Sequence, residues 1–184
     1  GAARVWDAIT GDNTLTLTRT RWVSAVVWSP DGTHILTASM GRAARIWDAI
    51  TGDNTLTLTH TDPVTAVVWS PDGHHILTAS KDGTARVWDA ITGDNTLTLT
   101  RTNSLSAVAW SPDGTHILTA SKDRAARVWD AITGDNTLTF TLTRTSWVSA
   151  VAWSPDGHHI LTGSEDGAAR VWDAITGDNT LTLT

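Results

Sequence analysis

The sequence ARVWDAITGDNTLT at residues 85–98 is the strongest indication of the fold, because it occurs five times along the chain with a single change, Ile46 for valine. Its Trp-Asp dipeptide stands at positions 6–7, 47–48, 88–89, 129–130 and 172–173, so the period is 41 residues three times and then 43. A fixed period in this range indicates a repeat architecture. Residues that recur in every copy are therefore expected to build the repeat rather than to perform one reaction.

Within one copy, the side-chain pattern predicts four short strands separated by turns. Residues 64–69, 76–80 and 85–89 are short, apolar and rich in β-branched side chains, as expected of buried strands. Residues 96–100 alternate threonine and leucine, which predicts an outer strand with one face in water. The sequences Ser-Pro-Asp-Gly and Thr-Gly-Asp between them are typical of tight turns. The predicted fold class is all-β, a β-propeller of four-stranded antiparallel blades.

These motifs resemble the WD-repeat family of β-propellers, in the manner of its highly self-similar bacterial members, over the whole chain. Ser-Pro-Asp-Gly, Ile-Leu-Thr-Ala-Ser, Asp-Gly and Val-Trp-Asp follow one another in the same order four times with few substitutions. The resemblance implies a non-catalytic scaffold for protein–protein interaction. It also implies a hydrogen-bonded structural network in each blade, and the residues that match it by position in one blade are His60, Ser80, Asp82 and Trp88.

That structural network is incomplete by position in the other blades. Arg19, Arg101 and Arg144 stand where His60 does, and Gly41 replaces the aspartate in the first full blade. Three of the four blades are therefore expected to open more readily than the one that contains His60.

The number of strands predicts an incomplete ring of about four and a half repeats. An outer half-blade is expected at residues 1–20, and blades at residues 21–61, 62–102, 103–145 and 146–184. Either terminal outer pair, at 3–18 or 169–184, could complete the last inner pair, and the two compete for one place. We therefore expect a segment of a longer repeat chain or a homo-oligomer, in which two chains would give eight blades.

Composition and motifs argue against several classes of function. The net charge of −6 disfavours a nucleic-acid partner, and the chain has no cysteine for disulfide or thiolate chemistry. Neither an 18-residue apolar stretch nor a targeting signal is seen, so the expectation is a cytoplasmic protein without membrane contact. The nucleotide, zinc-protease and serine-hydrolase motifs are missing, which predicts no enzyme and no cofactor.

We do not expect the histidines and aspartates of the turns to form a metal site or a catalytic site. The pairs at 74–75 and 158–159 follow the Ser-Pro-Asp-Gly turn, and propeller symmetry spreads such residues around a rim. Zinc needs three or four converging ligands, so no metal site is expected. Aspartate in a turn usually accepts hydrogen bonds from its own backbone, and its repetition favours that role.

The differences between copies point to a contact surface. They cluster in the segments 19–22, 60–63, 101–104 and 144–147 and in the turns 40–42, 81–83, 122–124 and 165–167, which an up-and-down blade places at one end, here called the variable end. Nine of the eleven tryptophans lie at two fixed repeat positions and are expected in the core. Tryptophan and arginine are typical of binding hot spots. The candidate partner-binding residues are Arg19, Arg21, Trp22, Arg42, Lys81, Arg101, Lys122, Arg124, Arg144 and Trp147.

The leading hypothesis is a propeller scaffold that presents this basic end to an acidic or mixed protein surface. One alternative is a self-assembling structural or engineered repeat fragment that forms an oligomeric propeller. Another is a glycan or small-ligand binder that uses the tryptophans of the variable end.

Overall fold

The computed structural model describes residues 2–18, 22–101, 103–141 and 146–184. Within these ranges the chain forms eighteen β-strands, and no helix there is long and apolar enough to cross a membrane. The all-β prediction is confirmed. The strands are β1 (Ala3–Trp6), β2 (Asn13–Leu17), β3 (Val23–Trp28), β4 (His34–Ser39), β5 (Ala43–Asp48), β6 (Asn54–Thr59), β7 (Val64–Trp69), β8 (His75–Ser80), β9 (Thr84–Asp89), β10 (Asn95–Thr100), β11 (Leu105–Trp110), β12 (His116–Ser121), β13 (Ala125–Asp130), β14 (Asn136–Thr141), β15 (Val148–Trp153), β16 (His159–Ser164), β17 (Ala169–Asp173) and β18 (Asn179–Leu183).

The strands form four antiparallel four-stranded blades and one two-stranded sheet. Blade 1 is β3–β6, blade 2 is β7–β10, blade 3 is β11–β14 and blade 4 is β15–β18, with the strands of each blade in chain order. The first two strands of a blade are its inner pair and the last two its outer pair. Strands β1 and β2 pair only with each other among the described residues, and we call them the N-terminal hairpin. The predicted four and a half repeats are present, as an open array of blades.

The turn between the two outer strands shows how the repeated sequence folds locally. In blade 2, Asp89 Oδ1 accepts hydrogen bonds from the backbone N–H groups of Ile91 and Thr92, at 2.9 and 2.8 Å. Gly93 then takes a φ of 76°, which favours glycine because it has no Cβ. The side chain of Asn95 donates to the carbonyl of Val87 across the turn at 2.9 Å. Each turn is thus closed by its own polar side chains.

The core lies between blades. The forward face of a blade, which contacts the following blade, carries Leu36, Ala38, Ala44, Ile46 and Leu58 in blade 1. The rear face of the following blade carries Val64, Val67, Trp69, Ile76 and Trp88, and these two sets form one buried cluster. Burying one tryptophan removes about 150–250 Å² from water, which at 25 cal/mol per Å² stabilises by about 4–6 kcal/mol. Each blade therefore depends on its neighbour for stability.

The two ends of the array leave such faces uncovered. The N-terminal hairpin covers the outer half of the rear face of blade 1, where Ile35 and Trp47 are buried. The inner half is bare, so Trp28 is 50 % exposed whereas Trp69, its counterpart in blade 2, is 7 % exposed. At the other end, Leu161 on the forward face of blade 4 is 42 % exposed. The end faces therefore do not cover each other.

Candidate interaction site

Backbone hydrogen bonds join the two sets of variable segments at one end of the blades. The N–H of Met40 donates to the carbonyl of Trp22 at 2.9 Å, and the N–H of Lys81 donates to that of Pro63 at 2.9 Å. The same bond recurs from Lys122 to Ser104 and from Glu165 to Trp147, at 3.1 Å in both cases. The two variable segments therefore lie side by side at this end of each blade.

Most of the described candidate residues at the variable end are in solvent. Trp22 is 79 % exposed and lies beside the exposed Met40. The other exposed candidates are Arg42, Lys81, Lys122, Arg124 and Trp147. Three candidates, Arg19, Arg21 and Arg144, lie outside the described residues.

Two of these cations stand in a backbone conformation that side chains disfavour. Arg42 has a φ of 67° and Arg124 a φ of 73°, whereas the equivalent residues of blades 2 and 4, Gly83 and Gly167, are glycines with a φ of 82°. A residue with a Cβ in this left-handed region is strained by about 1 kcal/mol relative to glycine. Such strain is commonly retained where the side chain has a function. The two arginines could have been recognised from the sequence by aligning the copies.

One cation is held by an aromatic ring across a blade junction. Lys122 Nζ lies 4.0 Å from the ring centroid of Trp147, which precedes blade 4. A cation over an indole face at an exposed site gains about 0.5–1 kcal/mol. Lys122 and Trp147 therefore form one preorganised amphipathic contact rather than two independent ones.

Arg101 differs from the other candidates because it is partly buried. Its guanidinium carbon lies 4.4 Å from the ring centroid of Trp129, in the place that His60 takes beside Trp88. Burial lowers the pKa of Arg101, and the charge of Arg127 adds to this while Asp123 opposes it. Arg101 therefore packs within its blade, which leaves it less available to a partner than Arg42 or Lys81.

Three aspartates next to the variable end pair with a neighbouring arginine or histidine. Asp123 pairs with Arg127 at 2.7 Å, and Asp166 pairs with Arg170 at 2.9 Å. Asp82 contacts His60 at 3.0 Å and lies 3.8 Å from Arg86. Glu165 is exposed and occupies the place of Lys81 and Lys122 in blade 4. The basic character is thus concentrated in blades 1 to 3.

His60, Asp82 and Trp88 come together as the sequence resemblance implied, but Ser80 does not join Trp88. The indole N–H of Trp88 donates to Thr78 Oγ1 at 2.8 Å, and that hydroxyl lies 2.7 Å from His60 Nε2. Ser80 lies two residues farther along β8, about 7 Å away. Its hydroxyl instead bonds the carbonyls of Asp62 and Pro63. The hydroxyl expected of Ser80 in this network belongs to Thr78.

The charges in this network are consistent with a neutral histidine. Burial lowers the pKa of His60 more strongly than Asp82 raises it. Burial raises the pKa of Asp82, but hydrogen bonds from Thr84, His60 and Thr61 outweigh it and hold the value well below 3.8. A proton on His60 Nδ1 then bonds Asp82, and Nε2 accepts the proton of Thr78.

The Trp–Thr bond is common to all four blades, whereas the histidine is not. The equivalent bonds run from Trp47 to Thr37, from Trp129 to Thr119 and from Trp172 to Thr162, each at 2.9 Å. The relative ease of opening of these blades remains a prediction.

The opposite end of the blades, formed by the Ser-Pro-Asp-Gly and Thr-Gly-Asp turns, is acidic. We call it the repeated end. Asp31 and Asp113 have a pKa of about 2, first because Ser29 and Ser111 donate to them and then through the following backbone N–H groups. These carboxylates bond their own turns, and no cluster of three or more potential metal ligands occurs in the described part of the chain. The repeated end therefore presents charge without a converged site.

Two apolar features of the repeated end were not predicted from the sequence. An isoleucine in each outer turn is almost fully in solvent: Ile9, Ile50, Ile91, Ile132 and Ile175. Three clefts of about 290, 310 and 500 Å³ lie at the successive blade junctions, each with one of these isoleucines in its wall.

The histidines after the Ser-Pro-Asp-Gly turn lie at the blade junctions. His34, His75 and His116 face Trp69, Trp110 and Trp153 of the following blade, with ring centroids 6.5, 6.5 and 6.4 Å apart. Their counterpart in blade 4, His159, is exposed. These three histidines are therefore packing residues between blades.

The comparison with known families agrees with this architecture. The family model described as WD domain, G-beta repeat matches residues 11–48, 52–89, 93–130 and 136–173, so the chain belongs to the WD-repeat family. No curated protein was found to match the chain. WD repeats are typical of non-catalytic scaffolds for protein–protein interaction, and the family is in general not enzymatic.

Proposed function

We propose that this WD-repeat chain is a non-catalytic scaffold that binds an acidic or mixed protein surface through its variable end. The observation that carries the proposal is the conformation of Arg42 and Arg124, which hold an exposed positive charge where glycine would be less strained. Retaining a strained arginine twice, in two different blades, favours a role for its side chain in binding.

The surroundings of the two arginines suit such a partner. Lys81 and Lys122 are exposed at the adjoining turn position, and the nearest aspartates are bonded to histidine or arginine. Trp22 and Trp147 add apolar area at the same end. Cations around exposed indole rings favour a segment that combines carboxylates with aromatic or apolar side chains.

The test is binding of a labelled acidic peptide that contains interspersed aromatic residues, measured by fluorescence anisotropy. Arg42→Glu, Lys81→Glu, Lys122→Glu and Arg124→Glu together should abolish binding, and wild-type binding should weaken as salt rises. The matched control is Asp53→Asn, Asp94→Asn and Asp135→Asn at the repeated end, which should leave binding unchanged. Unchanged binding by the quadruple charge reversal would refute the proposal.

A second variant separates binding from stability. Arg42→Gly and Arg124→Gly remove two charges and relieve the left-handed strain, so the double variant should be more stable and yet bind more weakly. Binding that rises together with stability would contradict a role for these side chains.

A second candidate function is self-assembly, and the bare end faces favour it. Trp28 and Val26 are 50 and 59 % exposed at one end of the array, and Leu161 is exposed at the other. Large apolar side chains grouped at an open sheet face mark association sites. A mass above 19.7 kDa in light scattering would support this candidate.

A further inference from the structure

The N-terminal recess is an apolar hollow of about 390 Å³ between the N-terminal hairpin and the rear face of blade 1. It lies where the other blades receive the inner pair of the preceding blade. Strand β1 forms one wall, and the bare residues Val23, Val26 and Trp28 of β3 form the other. We infer that the inner pair β15–β16 of a second copy of this chain occupies the recess. This inference rests on the second candidate function, self-assembly, and names its contact.

The contacts at the three internal blade junctions indicate which side chains would fit the N-terminal recess. At each of them a hydroxyl on the inner strand of one blade donates to a carbonyl of the next: Ser24 to Val64 at 2.9 Å, Thr65 to Leu105 at 2.9 Å and Ser106 to Val148 at 2.5 Å. Each junction also pairs a histidine with the tryptophan of the following blade, as His34 pairs with Trp69. Finally, a leucine of the second strand, such as Leu36, is fully buried there.

The open ends of this chain carry the two halves of one more such junction. On blade 4, Ser149, His159 and Leu161 hold the donor, ring and leucine positions, and all three are exposed. On blade 1, Val23 and Trp28 hold the positions of the accepting carbonyl and the tryptophan. If blade 4 of a second copy packs on blade 1 in the way that blade 3 packs on blade 4, Ser149 meets the carbonyl of Val23 and His159 meets Trp28.

Only an inner pair can enter, because the outer half of this junction is already filled. The N-terminal hairpin packs Ala3, Val5, Leu15 and Leu17 against Ile35 and Trp47. A complete blade 4 from a second copy would bring its own outer pair to the same place. One of the two outer pairs must therefore be absent from the junction.

The sequence makes the N-terminal hairpin an equal substitute for the outer pair of blade 4. Residues 1–18 and 167–184 are identical at every position. In blade 4, Leu161 lies opposite Val171 and Ile160 opposite Trp172. In the same register, β16 of the second copy would place Leu161 opposite Val5 and Ile160 opposite Trp6.

The exchange gives Trp6 the contacts that Trp172 gives up, so its net gain is the contact between the inner strands of the two copies. Trp6 is 57 % exposed, whereas Trp172 is 9 % exposed and donates to Thr162. Trp6 would gain the same bond to Thr162 of the second copy, and the edge of β1 would gain a partner strand. The outer pair β17–β18 of the second copy is then released into solvent. Each chain both gives and receives an inner pair, so two chains can close into a ring.

The experiment uses the full chain and begins with its mass by light scattering at rising concentration. The expected mass approaches twice 19.7 kDa. Leu161→Glu and Val26→Glu should each abolish the assembly while the far-UV circular dichroism stays that of the folded chain. The matched control is Leu181→Glu on β18, which is 50 % exposed but belongs to the released outer pair, so assembly should persist.

Crosslinking identifies the strands that meet. The chain contains no cysteine, so a mixture of Val5→Cys and Leu161→Cys chains can be joined only at these two positions. The expected product under oxidation is a covalent pair of one chain of each kind. Neither variant alone should give more than traces of this species.

The other outcomes each overturn the inference in a different way. A monomer at every concentration would remove self-assembly as well and leave the recess to strands from outside these 184 residues. Assembly that survives Leu161→Glu would keep self-assembly and reject this contact. Assembly lost in Leu181→Glu would show that whole blades dock, and a Val5→Cys/Leu161→Cys chain linked within a monomer would show a closed four-blade ring. The scaffold proposal is tested separately by peptide binding.

Discussion

Residues 2–18 and residues 168–184 offer a comparison within one molecule, since each is the same seventeen-residue hairpin in a different setting. Both form two antiparallel strands in the same register, with Val5 opposite Leu15 and Val171 opposite Leu181. The two hairpins bury opposite faces. Leu17 is 1 % exposed and its counterpart Leu183 is 52 % exposed, while Trp6 is exposed and Trp172 is buried.

This difference separates contacts within the hairpin from contacts with neighbouring strands. The N-terminal hairpin has a blade in front of it and no inner pair beside it, whereas the last hairpin has an inner pair beside it and no blade in front. The leucines report the following blade, whereas the tryptophans report the inner pair and the preceding blade, because Trp172 donates to Thr162 and packs on Phe140 at 5.2 Å. The two hairpins therefore contribute unequally to the free energy of unfolding although their sequences are identical, and four tests can measure the difference.

The largest expected effect is that of removing the tryptophan from each hairpin. Trp172→Ala should destabilise the chain by about 3–5 kcal/mol, because the indole is buried and donates to Thr162. Trp6→Ala should cost about 1 kcal/mol or less in the isolated chain. Urea unfolding of the two variants at low protein concentration measures both values, and equal losses would break the comparison.

The next effect isolates the hydrogen bond of Trp172. Thr162→Val keeps the shape of the side chain but leaves the indole N–H without its acceptor, so the expected loss is about 1–3 kcal/mol. Thr182→Val, on the exposed outer strand of the same blade, is the control and should change stability by less than about 0.5 kcal/mol. A similar effect of both substitutions would mean that the Trp–Thr bond contributes little.

A smaller change concerns the inner strand beside the last hairpin. Gly163 stands where the other blades have the buried Ala38, Ala79 and Ala120, and an added Cβ would meet only Ala150 Cβ at an ordinary 3.6 Å. Gly163→Ala should therefore stabilise the chain by about 0.4–1 kcal/mol through the unfolded state. The measurement is the midpoint of urea unfolding. Destabilisation would show that β16 needs the freedom of glycine, in contrast to its counterparts.

The smallest effect should be the same in both hairpins. Backbone N–H groups of Thr10 and Ile9 lower the pKa of Asp7 below 3.8, and those of Thr176 and Ile175 do the same for Asp173. A carboxyl group with a lowered pKa in the folded state contributes stability above about pH 3.8 and loses it as the pH falls through the lower, folded value. Asp7→Asn and Asp173→Asn should each remove this pH-dependent contribution to the free energy of unfolding. Carboxyl titration by NMR should give closely similar pKa values for the two, and a large difference would show that the turn is not a local unit.

Much of the fold was predictable from the sequence because its information is repeated and local. The period, the alternation of residues 96–100 and the turn sequences predicted four-stranded blades, and they are observed. The association of His60, Asp82 and Trp88 was implied by the resemblance to the WD-repeat family. Ser80 was misplaced, because Thr78 and Ser80 point to the same face of β8 and only the reach of the indole selects between them.

The candidate site was less predictable, because the exposure of a side chain depends on which other segments of the folded chain pack against it. Arg42 and Arg101 were equivalent candidates in the sequence, yet one is strained in solvent and the other packs on Trp129. The stacking of Lys122 on Trp147 joins residues 25 positions apart across a junction, and no local pattern indicates it. The clefts at the repeated end likewise exist only between blades.

Local sequence is enough to set the hairpin, its register and its turn, because each depends on side chains within a few residues, such as Asp7 and Asn13 in one copy and Asp173 and Asn179 in the other. Which face of each hairpin is buried depends instead on packing against other strands. Burial requires a second surface, and two identical sequences meet different surfaces at the two ends of the array. Trp6 in water and Trp172 in the core are the same residue of the same repeat, and they differ because Trp172 meets both an inner pair and the preceding blade.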